Sequence, residues 1–129
     1  DDPGISDPAA VRRVVFASGK VAIEAMAARD KVGAPVAIVR VEQLYPWPFD
    51  AVAAVLDRYA GASQIYWLQE EPENMGPWNS VKGRLYEAHG DSHEITRVSR
   101  TESGSPATGV HAIHVQEQGE LFQRILGGL

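Results

Sequence analysis

Six consecutive residues, Gln69-Glu70-Glu71-Pro72-Glu73-Asn74, hold three carboxylates and two carboxamides directly after the apolar run Ile65-Tyr66-Trp67-Leu68. An apolar run of this kind reads as a strand, so the acids are expected in the loop at its carboxyl end. In an open α/β sheet that is where ligands and partner surfaces meet the domain. Paired carboxylates can act as general acid and base, or bind a hard cation. A cation, however, needs oxygens converging from more than one segment, and adjacent residues diverge. Position makes Glu70, Glu71 and Asn74 candidate regulatory-ligand or interface residues, with solvated loop roles as the alternative reading, and the acids reveal no reaction.

A second candidate is Ser18-Gly19-Lys20, between an apolar run and a helical pattern. Backbone N–H groups and the helix dipole favour an anion at such a turn, with Lys20 beside it. The run lacks the upstream glycine and the following Ser or Thr of a P-loop. The alternative is that Ser18 caps the helix while Gly19 permits the turn. Both readings stand at this point.

Other chemistries find less support. His89 and His93 have i, i+4 spacing, but Gly90, Asp91 and Ser92 interrupt a helix between them, and His111 and His114 are spaced i, i+3. Neither pair forms a His-Glu-x-x-His site. Ser18, Ser99, Ser103 and Ser105 lack a Gly-x-Ser-x-Gly elbow. Trp67 falls in a strand and reads as core. Trp47 lies between prolines and Trp78 follows Gly-Pro, so both read either as interface anchors or as a lid folded over the sheet edge.

The elements that position these residues follow from periodicity. Val14–Ala17, Val36–Val41, Ile65–Leu68 and Ile95–Ser99 read as strands. Val21–Lys31, stopped by Gly33 and Pro35, reads as a helix. Phe49–Tyr59 carries Val52, Val55, Leu56 and Tyr59 along one face. Ser80–Ala88 is a shorter helix interrupted by Gly83, and a last helix begins near Ile113. Strands alternating with helices imply right-handed βαβ units. Continuous apolar strands imply a sheet covered on both faces. The expected fold is a three-layer α/β/α domain with a mostly parallel sheet of four or five strands. Residues 1–10 read as a linker and 11–129 as a single domain.

The chain has 129 residues, of which 44% are hydrophobic, enough for one compact core. A net charge of −5 argues against nucleic-acid binding. There is no cysteine, which excludes disulfides, thiolate zinc sites and a cysteine nucleophile. No apolar run reaches membrane-span length, and no signal peptide is visible. Without an initiator methionine, the sequence reads as a piece of a longer soluble protein.

An ordered series of motifs then stands out. It runs through Val15-Phe16-Ala17-Ser18-Gly19-Lys20-Val21, Val36–Pro46 with its Glu42-Gln43-Leu44-Tyr45-Pro46 ending, and Gln69–Asn74. It continues through Val81-Lys82-Gly83-Arg84-Leu85, Ser105-Pro106-Ala107-Thr108-Gly109, and His114 with Glu117-Gln118. The series resembles the C-terminal domain of the decarboxylating component of 2-oxoglutarate dehydrogenase, from Val14 to Leu126.

The resemblance implies a fold like the transketolase C-terminal domain, with one antiparallel edge strand. It implies a parent oxidoreductase of the tricarboxylic acid cycle, a cytoplasmic homodimer in bacteria, that uses thiamine diphosphate and Mg2+. The succinyl group would pass to a dihydrolipoyl succinyltransferase. Cofactor ligands and catalytic residues would lie in the preceding domains, so none is carried onto this chain. Its role would be to pack against those domains and the partner subunit, through the acidic loop and the proline-flanked aromatics.

In actinobacterial relatives this domain also helps bind acetyl-CoA, and Gln43 matches one residue of that site. Their two adjacent arginines fall here at about Asp50 and Ala51, which lack the phosphate-gripping fork. Met75 stands where the family has glutamine. The alternative reading is a stand-alone nucleotide or acyl-CoA binding module using Lys20 and Gln43.

Overall fold

In the computed structural model, residues 4–100 and 111–129 are described. The strands are β1 (Arg13–Ala17), β2 (Val36–Arg40), β3 (Gln64–Pro72) and β4 (Glu94–Arg100), and the helices are α1 (Lys20–Val32), α2 (Phe49–Arg58), α3 (Trp78–His89) and α4 (His111–Leu126). A short 3-10 turn at Pro8–Ala10 precedes them, held by the Asp7 carboxylate accepting from Ala9 N. Val11 behind it is buried, and Ile5 packs against the core.

The sheet order is β2-β1-β3-β4 and every pairing is parallel. The antiparallel edge implied by the resemblance is not found among the described residues. Alternation along the strands separates two cores. Val14, Phe16, Ile65 and Trp67 face α2 and α3, together with Val52, Leu56, Val81 and Leu85. Val15, Ala17, Leu68 and Val98 face α1 and α4, together with Val21, Ala25, Leu121 and Ile125. This is the expected three-layer arrangement.

The handedness rule explains which helix covers which face. The chain moves from β1 outward to β2 through α1, then reverses and crosses to β3 and β4 through α2 and α3. Right-handed crossovers in opposite directions must use opposite faces, and they do. The reversal makes a topological switch point between β1 and β3. Their carboxyl ends carry Ser18-Gly19-Lys20 and Gln69–Pro77, the two segments singled out by the sequence.

Four local expectations change. β3 continues to Pro72, so Glu70 and Glu71 belong to the strand and only the residues after Pro72 form a loop. The extension pairs with β4 through Pro72 and Arg100, after a register shift beyond Leu68. Ser18 does not cap α1: the N-cap is Gly19, at φ 73°, with no side-chain hydrogen bond. Gly19 thus supplies the turn through a conformation that favours glycine. Helix α3 begins at Trp78 instead of Ser80 and runs through Gly83.

Lastly, Trp47 and Trp78 are neither exposed anchors nor an edge lid. Each is only 5% exposed and belongs to the α2–α3 core. Their bulky apolar rings find burial close by, Trp47 from the loop before α2 and Trp78 from the first turn of α3, both against that face. Gly33 ends α1 in the left-handed region, as expected. The segment Ser105–Gly109 lies outside the described residues.

Candidate functional site

The loop after β3 is shaped by Gln69, which is 2% exposed. Its Oε1 accepts from the Trp67 indole (3.0 Å) and from the Trp78 backbone N–H (2.9 Å). Its Nε2 faces the carbonyls of Glu71, Pro72 and Met75 at 3.1, 2.9 and 2.8 Å. Oxygen toward donors and nitrogen toward acceptors is the only orientation that satisfies this set. Gly76, at φ 72°, completes the turn, and the Glu71 side chain lies close against it.

This scaffold sends the acids in different directions. Glu70 Oε1 accepts from Gln118 Nε2 on α4 at 2.8 Å. The same Nε2 reaches Glu24 Oε2 on α1 at 3.2 Å, and Glu24 pairs with Lys20 at 3.5 Å. Gln118 Oε1 in turn accepts from Arg100 Nη2 at 2.9 Å, while Arg100 Nη1 pairs with Glu117 at 3.2 Å. Lys20 and Glu70 are therefore joined, through Glu24 and Gln118, across the switch point between β1 and β3. Glu73 pairs instead with Arg97 at 2.9 Å. No two of these loop carboxylates are set up as an acid–base pair.

Gln43 and Asn74 sit apart from that network. Gln43 Nε2 donates to Pro46 O at 2.8 Å, within the loop before α2. It lines a cleft of about 170 Å³ with Phe16, Val41, Pro48, Ala51 and Val55; Lys20 is not part of it. Asn74 accepts from Asn79 through its backbone carbonyl at 3.1 Å and borders a different cleft, beside Arg97, Arg100 and Arg124. Sequence reasoning missed those arginines and gave Gln118 no role. The signal for the first was Arg97 and Arg100 in one short strand. Gln118 was visible only as part of the Glu117-Gln118 motif.

His89 and His93 approach edge-on, with centroids 6.2 Å apart. Burial lowers the His89 pKa, and the neighbouring His93 adds to the effect. Among the described residues, no three His, Asp or Glu gather as a metal site. No helix among them is long and apolar enough to cross a membrane.

With this geometry established, comparison with known proteins decides the family. Residues 1–126 match the family described as 2-oxoglutarate dehydrogenase C-terminal. The chain belongs to that family. It is 37% identical over 123 residues to the 2-oxoglutarate dehydrogenase E1 component of Coxiella burnetii, spanning 93% of this chain and 13% of that protein. It is 44% identical to the mitochondrial 2-oxoglutarate dehydrogenase of Caenorhabditis elegans, spanning 94% of this chain and 12% of that protein. The E1/E2 component of Corynebacterium glutamicum is 37% identical across 95% of this chain and 10% of its own length. The chain thus spans only about an eighth of the curated relatives it matches.

Among solved structures, a split-gene transketolase, described as an inactive β4 tetramer, superposes with a TM-score of 0.62. That match covers 89% of this chain and 39% of the other at 15% identity, and it shows the shared fold.

Proposed function

We propose that this chain is the assembly and regulatory domain at the C-terminal end of a 2-oxoglutarate dehydrogenase decarboxylating component. In that reading the whole enzyme is a homodimer of the bacterial cytoplasm. It uses thiamine diphosphate and Mg2+ held by its preceding domains, and delivers succinyl groups to dihydrolipoyl succinyltransferase in the tricarboxylic acid cycle. The carrying observation is the family match over nearly the whole chain, at an eighth of the relatives' length. No step of the decarboxylation is assigned to this chain's residues.

The surface supports an assembly role. Tyr45, Phe49 and Met75 are exposed, with Tyr45 at 83%, at the carboxyl ends of β2 and β3. With Trp47 and Trp78 buried, these three offer large apolar side chains there for a neighbouring domain. The cleft lined by Gln43, Pro48 and Ala51 is the place for a regulatory ligand.

The test compares three proteins: the full-length enzyme, the enzyme truncated before this domain, and this chain alone. Turnover of 2-oxoglutarate and sedimentation are read for each. Expected are no turnover by the chain alone, and loss of both dimer and activity on truncation. Turnover by the chain alone, or an intact active dimer without it, overturns the proposal.

A further inference from the structure

We infer that the cleft between the end of β4, the loop after β3 and the last turns of α4 is a binding site for a phosphate dianion, free or as an organic monoester. The inference is independent of the decarboxylase reading and of the Gln43 cleft. The cleft has a volume of about 360 Å³ and is lined by Glu73, Asn74, Asn79, Arg97, Ser99, Arg100 and Arg124. Among the described lining residues, three arginines meet one carboxylate, and Glu117 pairs with one of those arginines from outside the cleft, in a protein whose net charge is −5.

Topology places these groups together. β4 is an edge of the sheet. Ile95 packs on the α2–α3 side, so strand alternation puts Arg97 and Ser99 on that side too. Arg124 reaches around the edge from α4, where its Nη1 donates to the Ser99 carbonyl at 3.5 Å. The cleft opens at the carboxyl ends of β3 and β4, on the side of the sheet where such folds bind ligands.

Buried polar atoms of this cleft lack hydrogen-bond partners among the described residues. Ser99 is 6% exposed, and its Oγ has no hydrogen-bond partner. Arg97 Nε is enclosed and likewise unsatisfied. Buried polar groups are rarely left so, and each calls for an explanation. An oxyanion supplies acceptors for both after a small adjustment of the side chains.

Glu73 is the stand-in. It holds Arg97 at 2.9 Å but is itself 59% exposed, and so can swing away. Arg100 is engaged by Glu117 and Gln118, so it serves as a fixed wall. The forks that would take the ligand are those of Arg97, once Glu73 swings away, and Arg124. A phosphate monoester offers three oxygens and two charges to two guanidinium forks, with the carboxamides of Asn74 and Asn79 at the rim. A monocarboxylate would bring half that charge.

The chain's own helices cover both faces of its sheet, so the 129-residue chain is tested as it stands. Inorganic phosphate, glycerol 3-phosphate and acetate are titrated calorimetrically, with arginine 15Nε chemical shifts followed in parallel. Saturable phosphate binding is expected, with shifts at Arg97 and Arg124. Arg124→Met, at an exposed position, should weaken it about tenfold. Glu73→Gln should tighten it several-fold by releasing Arg97. Preference for glycerol 3-phosphate over inorganic phosphate identifies an organic ester as the ligand, and equal affinity identifies free phosphate. The inference fails if neither phosphate saturates by about 10 mM, if acetate binds as well, or if Arg124→Met and Glu73→Gln leave affinity unchanged while both variants retain the parent melting temperature.

Discussion

The Trp78 backbone N–H donates to Oε1 of Gln69 at 2.9 Å, although the two residues are nine apart in sequence. Helix α3 begins after Pro77, which offers no side-chain cap. The first N–H of a helix has no intrahelical partner. A carboxamide from the preceding strand fills the role that a local Ser or Asp usually takes. One side chain therefore ties strand end, loop and helix start into one unit.

This relationship predicts a large effect from a small change. Gln69→Leu keeps much of the volume but strands the Trp67 indole, the Trp78 N–H and the loop carbonyls. It should destabilise the fold by about 3 kcal/mol, as expected when buried polar partners are left unsatisfied. Urea unfolding measures it. A loss under about 1 kcal/mol would show that water satisfies these groups and that the clamp is unimportant.

Arg13 is a second concentrated point. It is buried, stacks over Tyr66 at 4.2 Å, and donates through Nη1 to the carbonyls of Ile125 and Gly127 at 2.7 and 2.9 Å. Its Nε donates to Gln64 at 2.8 Å. Burial lowers its pKa, while Tyr66 and Glu94 oppose that shift. The guanidinium satisfies the orphan carbonyls at the end of α4 and holds that helix to the sheet. Arg13→Met should cost about 2–3 kcal/mol. Hydrogen exchange should show the loss concentrated in α4; uniform loss would argue against the clamp.

These two residues show where sequence reading succeeded and where it stopped. The strand–helix alternation was legible because continuous apolar strands and one-sided helices have distinct periods. Trp67 was legible as core for the same reason. Gln69 was visible only as one amide in an acidic run. Its five partners are Trp67, Glu71 and Pro72 in its own strand, Met75 in the loop and Trp78 at the start of α3, and nothing in local sequence announces them. Trp47 and Trp78 were ambiguous because proline-flanked aromatics suit a surface or a core equally well. The sequence offers Lys20, Gln43, Glu70, Glu71 and Asn74 as one candidate set, yet strand order separates them: among the described residues, only Lys20 and Glu70 of the five share the network through Glu24 and Gln118. Sheet order is set by long-range packing, which no local pattern encodes.

The histidine pair gives a pH prediction. His89 has its pKa lowered by burial and, second, by His93. A histidine whose folded pKa is depressed favours the fold when neutral. Its contribution is complete above the unfolded value near 6.5, and is lost as pH falls from there through the lowered folded value. The melting temperature should therefore drop on acidification below about pH 6.5. His89→Gln should flatten that drop while leaving the rest of the pH profile in place. An unchanged slope in the variant would assign the effect elsewhere.

Gln118 tests the network across the switch point. It is 7% exposed and sits between two carboxylates, Glu24 and Glu70, with Arg100 on its other side. As an amide it donates to both acids and accepts from the guanidinium, so it links like charges without adding one. Gln118→Glu puts a third carboxylate in contact with the first two and removes their shared donor. Like charges at this distance raise one another's pKa. The variant should lose about 2 kcal/mol at pH 7. Much of that should return on acidification, once the new acid is protonated and can donate again. Gln118→Met removes the donor without adding charge, so its deficit should stay constant over the same range. If both variants show the same pH dependence, repulsion among Glu24, Glu70 and residue 118 is not what the glutamine prevents.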